Sequence, residues 1–180
     1  MRKLNQIVLI IAMPLVVAAC NNGDQSAAGH DQHAHGKHNK AAASSATITL
    51  KDPDLDAVYQ QYQVLTKALV VEDVNTAKTA ALAIETGARE IKAAAAIGRA
   101  AATISGTSDL KAQRLAFASL NKDFIKLLKD TGLDNGKLYV AHCPMALDDQ
   151  GASWVSTSKE IRNPYFGDSM LTCGTVMETL

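Results

Sequence analysis

The sequence predicts a mainly α-helical protein, an up-and-down bundle of three or four helices followed by a compact irregular segment with short extended pieces. Two observations lead to this fold class. Between residues 53 and 128, apolar residues recur every three or four positions, which is the spacing of one face of a helix. Beyond residue 136 this periodicity ends, and turn residues, aromatic residues and two cysteines take its place.

The first nineteen residues have the layout of a secretory signal peptide. Arg2 and Lys3 give a positive start, an apolar stretch from Ile7 to Val17 follows, and small residues precede Cys20. The apolar stretch is shorter than the roughly 20 residues that span a hydrocarbon core. The alternatives are an ordinary signal peptide with a chance cysteine, and an uncleaved anchor.

The sequence from Val17 to Cys20 resembles the lipobox of bacterial lipoproteins, in which the cysteine thiol is lipidated. The resemblance implies a signal peptide at residues 1–19 and acyl chains such as palmitate on Cys20. We therefore expect a lipid-anchored protein of the cell envelope that faces the periplasm. Asn21, directly after this cysteine, is compatible with sorting to the outer membrane, which we expect rather than the inner membrane.

Residues 20–50 are predicted to form the lipidated cysteine and a tether, because the stretch is polar and has almost no large apolar side chain. The tether carries a secondary candidate metal site made of four histidines, namely His30, His33, His35 and His38. Imidazoles this close together on a flexible segment can wrap a divalent ion such as Cu(II), Zn or Ni. A merely polar linker is the alternative.

Residues 51–180 are predicted to form the folded domain. Asp52-Pro53 starts the first helix, since proline is favoured at the first helical position. Asp73 caps a second helix, which Gly87 bends or ends. Helical character then continues through Ile91 towards Ile104.

The last long helix has equally clear boundaries. Ser108 is predicted as its N-cap, and Thr131-Gly132 as its end. After it, Leu138-Tyr139-Val140 favours a short strand or extended segment. Asn163-Pro164-Tyr165-Phe166-Gly167 is a turn, expected to fold over the sulfur-containing residues as a lid, and Trp154 is expected to pack in the core.

Two sulfur-containing motifs lie in the C-terminal segment, His142-Cys143-Pro144-Met145 and Met170-Leu171-Thr172-Cys173-Gly174. In an exported protein the default for such a cysteine pair is a disulfide, here between Cys143 and Cys173. Alternatively, the motifs face one another and hold one ion through His142, Cys143, Met145, Met170 and Cys173. Soft donors of this kind select Cu(I), with Zn less well matched. The residues alone leave both possibilities open, and the methionines could also fill a core.

A family resemblance bears on this choice. The set Cys143-Pro144-Met145-Ala146, Trp154, Glu160 to Gly167 and Met170 to Gly174 resembles an uncharacterised domain family. That family occurs alone in lipoproteins and at the C-termini of CusB-type adaptors of copper and silver efflux pumps. Residues 139–145 also resemble the Tyr-x-Cys-Pro-Met core of small heavy-metal-binding modules, although the spacing after the tyrosine differs and alanine replaces their usual histidine.

The resemblance implies copper as the bound metal and an efflux adaptor as a partner. The first functional hypothesis is therefore a tethered periplasmic copper-binding protein, and the second is a disulfide-stabilised module that docks on an adaptor or another envelope partner and needs no cofactor. No nucleophile elbow, phosphate-binding glycine loop or Cys-x-x-Cys pair is present, so no catalytic residue is predicted. Haem ligated by His142 or a methionine is the remaining alternative. The net charge of zero favours no nucleic-acid partner.

Overall fold

The computed structural model describes residues 47–180. The predicted signal peptide, Cys20 and the four tether histidines (His30, His33, His35 and His38) lie outside the described residues. Four long helices run in chain order: α1 (Pro53–Val70), α2 (Val74–Ala88), α3 (Ala95–Ser105) and α4 (Leu110–Thr131). Each helix packs against the next one along the chain, which confirms the predicted mainly α fold. No helix within the described range is long and apolar enough to cross a bilayer.

Side-chain caps explain where three of the four long helices begin, namely α1, α2 and α4. The Asp52 carboxylate accepts hydrogen bonds from the amides of Asp54 and Leu55, each at 2.9 Å, and Asp73 caps α2 in the same way. The prediction of Ser108 as the cap of α4 is wrong by one residue. Asp109 is the cap, while the Ser108 hydroxyl accepts a hydrogen bond from the Lys78 ammonium group.

Close backbone contact explains the small residues of α2 and α3. A Cβ atom at Gly87 would lie 2.8 Å from the Val58 side chain, so this glycine lets α1 and α2 approach each other. The expectation of helical structure through Ile91 is wrong, because α2 ends at Ala88 and turns and a bend occupy residues 89–93. Gly98, in contrast, lies inside α3 and does not break it.

Short strands complete the domain. Strand β1 (Thr49–Leu50) pairs with β2 (Leu133–Asn135), so the folded part begins slightly before residue 51, inside the stretch predicted as tether. The predicted extended segment is β3 (Tyr139–Cys143), the central strand of an antiparallel sheet. Its neighbours are β4 (Ala152–Ser156) and β5 (Thr175–Thr179), and a tight turn at Ala146–Asp149 lies between β3 and β4.

Aromatic side chains join the sheet to the bundle. The rings of Tyr62 and Phe124 stack with centroids 4.5 Å apart, and the ring of Phe117 lies 5.6 Å from that of Tyr62. Tyr165, from the predicted turn, contacts both Phe117 and Trp154. The C-terminal segment is therefore packed onto the helices through their aromatic core.

Candidate functional site

The two sulfur-containing motifs meet at one end of the sheet. A disulfide joins Cys143, the last residue of β3, to Cys173, which lies just before β5. Their α-carbons are 5.8 Å apart, the usual separation for such a bond. The Cys143 side chain is fully buried and that of Cys173 is partly exposed. The structure thus brings together the two cysteines that the sequence singled out.

Gly174 lets the chain after Cys173 pass close to the sheet. Its φ angle is +133°, and a Cβ atom there would lie 2.9 Å from both the His142 carbonyl oxygen and the indole of Trp154. A residue with a side chain would therefore collide with the backbone of β3. Trp154 is only 1% exposed and packs in the core, as expected, directly beside this turn.

His142 points away from the disulfide. Successive residues of a strand project to opposite faces, so the His142 and Cys143 side chains lie on different sides of β3. The imidazole Nδ1 lies 3.0 Å from the Ser153 hydroxyl on β4, and its Cε1 edge lies against Gly151. This geometry separates the predicted donor His142 from the cysteines.

The two methionines lie close to the cysteines along the chain and outside the hydrophobic core. Met145 follows Cys143 by two residues and is 46% exposed. Met170 is partly buried at the end of a 3-10 turn, and its carbonyl accepts a hydrogen bond from the Cys173 amide at 3.0 Å. Neither belongs to the buried core of the described domain, so core filling does not explain them.

The donor chemistry limits which ion would suit the site. Within residues 47–180, no three side chains of histidine, cysteine, aspartate or glutamate lie close enough together to hold a metal ion. Two cysteine thiolates with thioether donors from methionine would make a soft ligand set, and Cu(I) is the ion that accepts both kinds of ligand. The disulfide would first have to be reduced, because thiolates bind the metal.

A left-handed turn follows Met145, and no sequence signal predicted it. Leu147, Asp148 and Asp149 all have positive φ angles, between 56° and 65°. This conformation costs L-residues roughly 1–2 kcal/mol each. The Gly151 amide closes the turn by donating to the Ala146 carbonyl at 2.9 Å. The turn carries the chain from the first sulfur-containing motif back into β4.

Asn163 organises the second sulfur-containing motif, a role that sequence reasoning missed. Its buried side chain donates to the Cys173 carbonyl and accepts from the Tyr165 amide, both at 2.8 Å. Its backbone amide donates to the Leu171 carbonyl, also at 2.8 Å. One asparagine thus fixes the whole turn that ends in Cys173.

The turn at residues 163–167 is anchored in the helical core. The Tyr165 hydroxyl donates to the Ser153 carbonyl at 2.7 Å and accepts from the Asn121 amide at 3.2 Å. The Arg114 guanidinium donates to the Pro164 carbonyl at 3.0 Å. This segment was expected to form a lid over the sulfur atoms. It instead supports the turn that ends in Cys173, and its Tyr165 side chain inserts among the helices.

Buried tyrosines act as neutral donors in this support. The Tyr62 hydroxyl donates to the Asn121 side chain at 2.6 Å and accepts from the Val155 amide at 2.8 Å. Burial raises the pKa of both Tyr62 and Tyr165 well above the ordinary value of 10.0. Both hydroxyls therefore keep their protons at neutral pH, which each needs in order to donate.

Replacing Asn163 tests its supporting role. Asn163→Ala leaves the Cys173 carbonyl and the Tyr165 amide without partners, so we expect the free energy of unfolding to fall by about 2 kcal/mol. Urea denaturation followed by circular dichroism measures the change. Asn135→Ala is the control, because Asn135 is exposed and makes a single side-chain hydrogen bond, to the Thr47 carbonyl. Equal losses in the two variants would contradict the proposed role of Asn163.

Comparison with known proteins relates part of this chain to a family of unknown function. No curated protein and no solved structure matches the chain. Residues 58–136 match the model of a family described as a protein of unknown function, DUF3347. The matched region covers most of α1, all of α2 to α4 and strand β2, and it stops before β3 and the two sulfur-containing motifs. The match supports the relation of the helical part of this chain to an uncharacterised domain family.

Proposed function

We propose that this chain is a membrane-tethered copper-binding protein of the periplasm, which holds Cu(I) for efflux, delivery or sequestration. The observation that carries the proposal is the meeting of the two sulfur-containing motifs, with the α-carbons of Cys143 and Cys173 5.8 Å apart. Met145 and Met170 lie two and three residues from these cysteines along the chain and do not belong to the core. Four soft sulfur donors from two turns suit Cu(I) better than any hard ion.

Copper binding requires the reduced form of the cysteine pair. A thiol reductant of the envelope supplies two electrons and two protons, which open the Cys143–Cys173 bond to two thiols. Cu(I) then displaces the thiol protons and takes two thiolates, with thioether donors from Met145 and Met170. His142 joins only if its ring leaves Ser153, because the imidazole lies on the other face of β3.

The N-terminal predictions supply the rest of the proposal. A lipid on Cys20 holds the protein in the cell envelope, facing the periplasm and more in keeping with the outer than the inner membrane. The four tether histidines (His30, His33, His35 and His38) form a second, weaker site for divalent ions. The recipient of the copper is an efflux adaptor, in keeping with the family resemblance around Cys143 and Cys173. No catalytic step is assigned.

A Cu(I) titration of the full chain tests the proposal. The protein is reduced, freed of reductant and titrated without oxygen against a competing Cu(I) chelator, with the four tether histidines replaced by serine in every sample. We expect Met145→Leu with Met170→Leu to weaken Cu(I) binding at least tenfold, because both thioether donors are lost. The free energy of unfolding should change by less than about 1.5 kcal/mol, since leucine and methionine have similar volumes.

Met177→Leu is the matched control, because Met177 also lies in the C-terminal segment but is 66% exposed on β5. It should leave the Cu(I) affinity unchanged. Binding no tighter than micromolar in the reduced parent, or an equal loss in the control, would count against the copper site.

The second candidate function is a disulfide-stabilised module that docks on an efflux adaptor or another envelope partner. Complete burial of the Cys143 side chain in the disulfide favours it, because a buried sulfur is shielded from exchange. In that case no cofactor is required. Mass spectrometry of the native protein after alkylation separates the candidates: a pair that stays oxidised, resists reduction and ignores copper supports the docking module.

A further inference from the structure

A groove between α1 and β4 has the features of a small-molecule site that the copper proposal does not use. Its volume is about 360 Å³, within the range of roughly 300–1,000 Å³ typical of ligand pockets. Val70, Trp154 and Val155 give it apolar walls, and each of them is at most 5% exposed. The groove is therefore open to a ligand but lined by core residues.

A buried hydroxyl without a partner lines this groove. Tyr59 is 1% exposed, and its hydroxyl has no hydrogen-bond partner among residues 47–180. Buried polar groups in proteins nearly always have a partner, so this hydroxyl needs an explanation. Burial, with the nearby Asp56 carboxylate adding to it, raises the pKa of Tyr59 above the ordinary value of 10.0. The hydroxyl keeps its proton and can donate to an acceptor on a ligand.

Two positively charged side chains also line the groove. Lys67 and Arg162 belong to its lining, and no carboxylate does. Lys67 forms no salt bridge with the described residues, and the only one of Arg162 among them is a 3.7 Å contact with Glu160. Both cations are exposed and remain able to attract an anion.

The spacing along α1 sets the shape of the ligand. Tyr59 and Lys67 are eight residues apart, on the same face of the helix as Gln63 between them. At a rise of 1.5 Å per residue, their α-carbons lie about 12 Å apart along the axis. An elongated ligand can therefore contact both residues at once.

We propose that the groove binds an elongated amphipathic carboxylate, whose anionic end meets Lys67 and Arg162. Its apolar middle lies against Trp154 and Val155, and a hydrogen-bond acceptor at its far end takes the proton of the Tyr59 hydroxyl. No cysteine or methionine lines the groove, so binding there can be tested without copper.

Three ligands of matched length test the proposal on the full, oxidised chain without copper. Monomethyl sebacate has a carboxylate and an ester carbonyl joined by eight methylene groups, decanoate lacks the far acceptor, and dimethyl sebacate lacks the charge. Trp154 is the single tryptophan of the chain and lines the groove, so its fluorescence reports binding, with calorimetry as a second measurement. We expect monomethyl sebacate to bind at least fivefold more tightly than either of the others.

Two variants test which residue contacts each end of the ligand. Tyr59→Phe keeps the ring and should weaken monomethyl sebacate about fivefold, to the level of decanoate, whose own affinity should not change. Lys67→Gln should weaken both carboxylates and leave dimethyl sebacate unaffected. Lys92→Gln, in a separate groove between α2 and α3, is the control and should change nothing.

The outcomes separate this site from the copper proposal. Equal affinities for the three ligands, or no saturable binding of monomethyl sebacate by either method, would overturn the groove proposal and leave the copper titration untouched. Equal effects of Lys67→Gln and Lys92→Gln would also overturn it, because the attraction would then come from the general charge of the protein.

Discussion

Reduction of the Cys143–Cys173 disulfide is expected to lower the free energy of unfolding by about 3–4 kcal/mol. The bond closes a loop with a sequence separation of 30, and in the chain-entropy model a loop of that length restricts the unfolded chain by this amount. The loop contains β4 and the buried anchor residues Asn163 and Tyr165. The native contacts of these residues stay in place, so the reduced protein should remain folded but less stable.

Urea denaturation with and without reductant measures this loss. The double variant Cys143→Ala with Cys173→Ala is the control, because a reductant can have no effect on it through this bond. Its stability should lie near that of the reduced parent. A difference of less than about 1 kcal/mol between oxidised and reduced parent would show that the bond does not constrain the unfolded chain as the model requires.

Copper connects this prediction with the proposed function. A ligand that binds the native state alone raises stability in proportion to the logarithm of its concentration over its dissociation constant. Cu(I) should therefore restore part of the stability that reduction removes. The restoration should be absent in Met145→Leu with Met170→Leu if the thioethers are ligands. A structural disulfide without a metal role predicts no restoration in either protein.

Local signals in the sequence predicted the helices well. Asp52-Pro53 and Asp73 start α1 and α2 as expected, because a cap needs only neighbours within three residues. The end of α4 at Thr131 was predicted from an equally local signal, the glycine that follows it. These boundaries depend on the chain itself and scarcely on what packs against it.

Features that depend on distant partners were missed. Strand β1 exists because Leu50 pairs with Leu133, more than 80 residues away, and the alternating residues 47–50 are too few to predict a strand without that partner. Gly87 was expected to bend or end α2, but helical structure was still expected directly beyond it because alanine favours helix throughout that region, whereas the turns there follow from packing α3 back against α2. Propensity alone does not predict where such a chain reverses.

The candidate site was predicted in part. The pairing of the cysteines was one of two open possibilities, and motif spacing could not choose between them. The direction of His142 could have been inferred, because it adjoins Cys143 on a predicted strand and strand side chains alternate. Asn163 gave no such signal, since an asparagine before proline suggests an exposed turn and its burial depends on the folded arrangement around Cys173.

Substitution of Asn121 is the other change expected to lower the stability greatly. The position of this residue in the sequence already indicated a buried polar contact. It lies on the apolar face of α4, four residues after Phe117 and three before Phe124, where a polar residue needs a buried partner. Its side chain accepts from the Tyr62 hydroxyl and donates to the Phe117 carbonyl and the Tyr165 hydroxyl. One amide thus connects α1, α4 and the turn that supports Cys173.

Asn121→Ala is expected to lower the free energy of unfolding by about 3–4 kcal/mol. The substitution leaves the Tyr62 hydroxyl without its acceptor in the core and opens a cavity, and both effects are costly in a fully buried site. Lys122→Ala, the exposed neighbour on the same helix, is the control and should cost less than about 0.5 kcal/mol. Urea denaturation of the oxidised proteins compares them directly.

A double-mutant cycle with Tyr62→Phe shows whether the loss comes from the hydrogen bond or from the cavity. Tyr62→Phe keeps the stacked ring and removes only the hydroxyl, which leaves the Asn121 oxygen and the Val155 amide unpaired. If the hydrogen bond between Tyr62 and Asn121 dominates, the free energy of unfolding should fall less in the double variant than the sum of the two single losses. The difference should be at least about 1 kcal/mol. Additive losses would instead assign the stability to packing around Phe117 and Phe124. The polar link between the helices and the support of Cys173 would then contribute little, and the position of the cysteine pair would depend on the aromatic core alone.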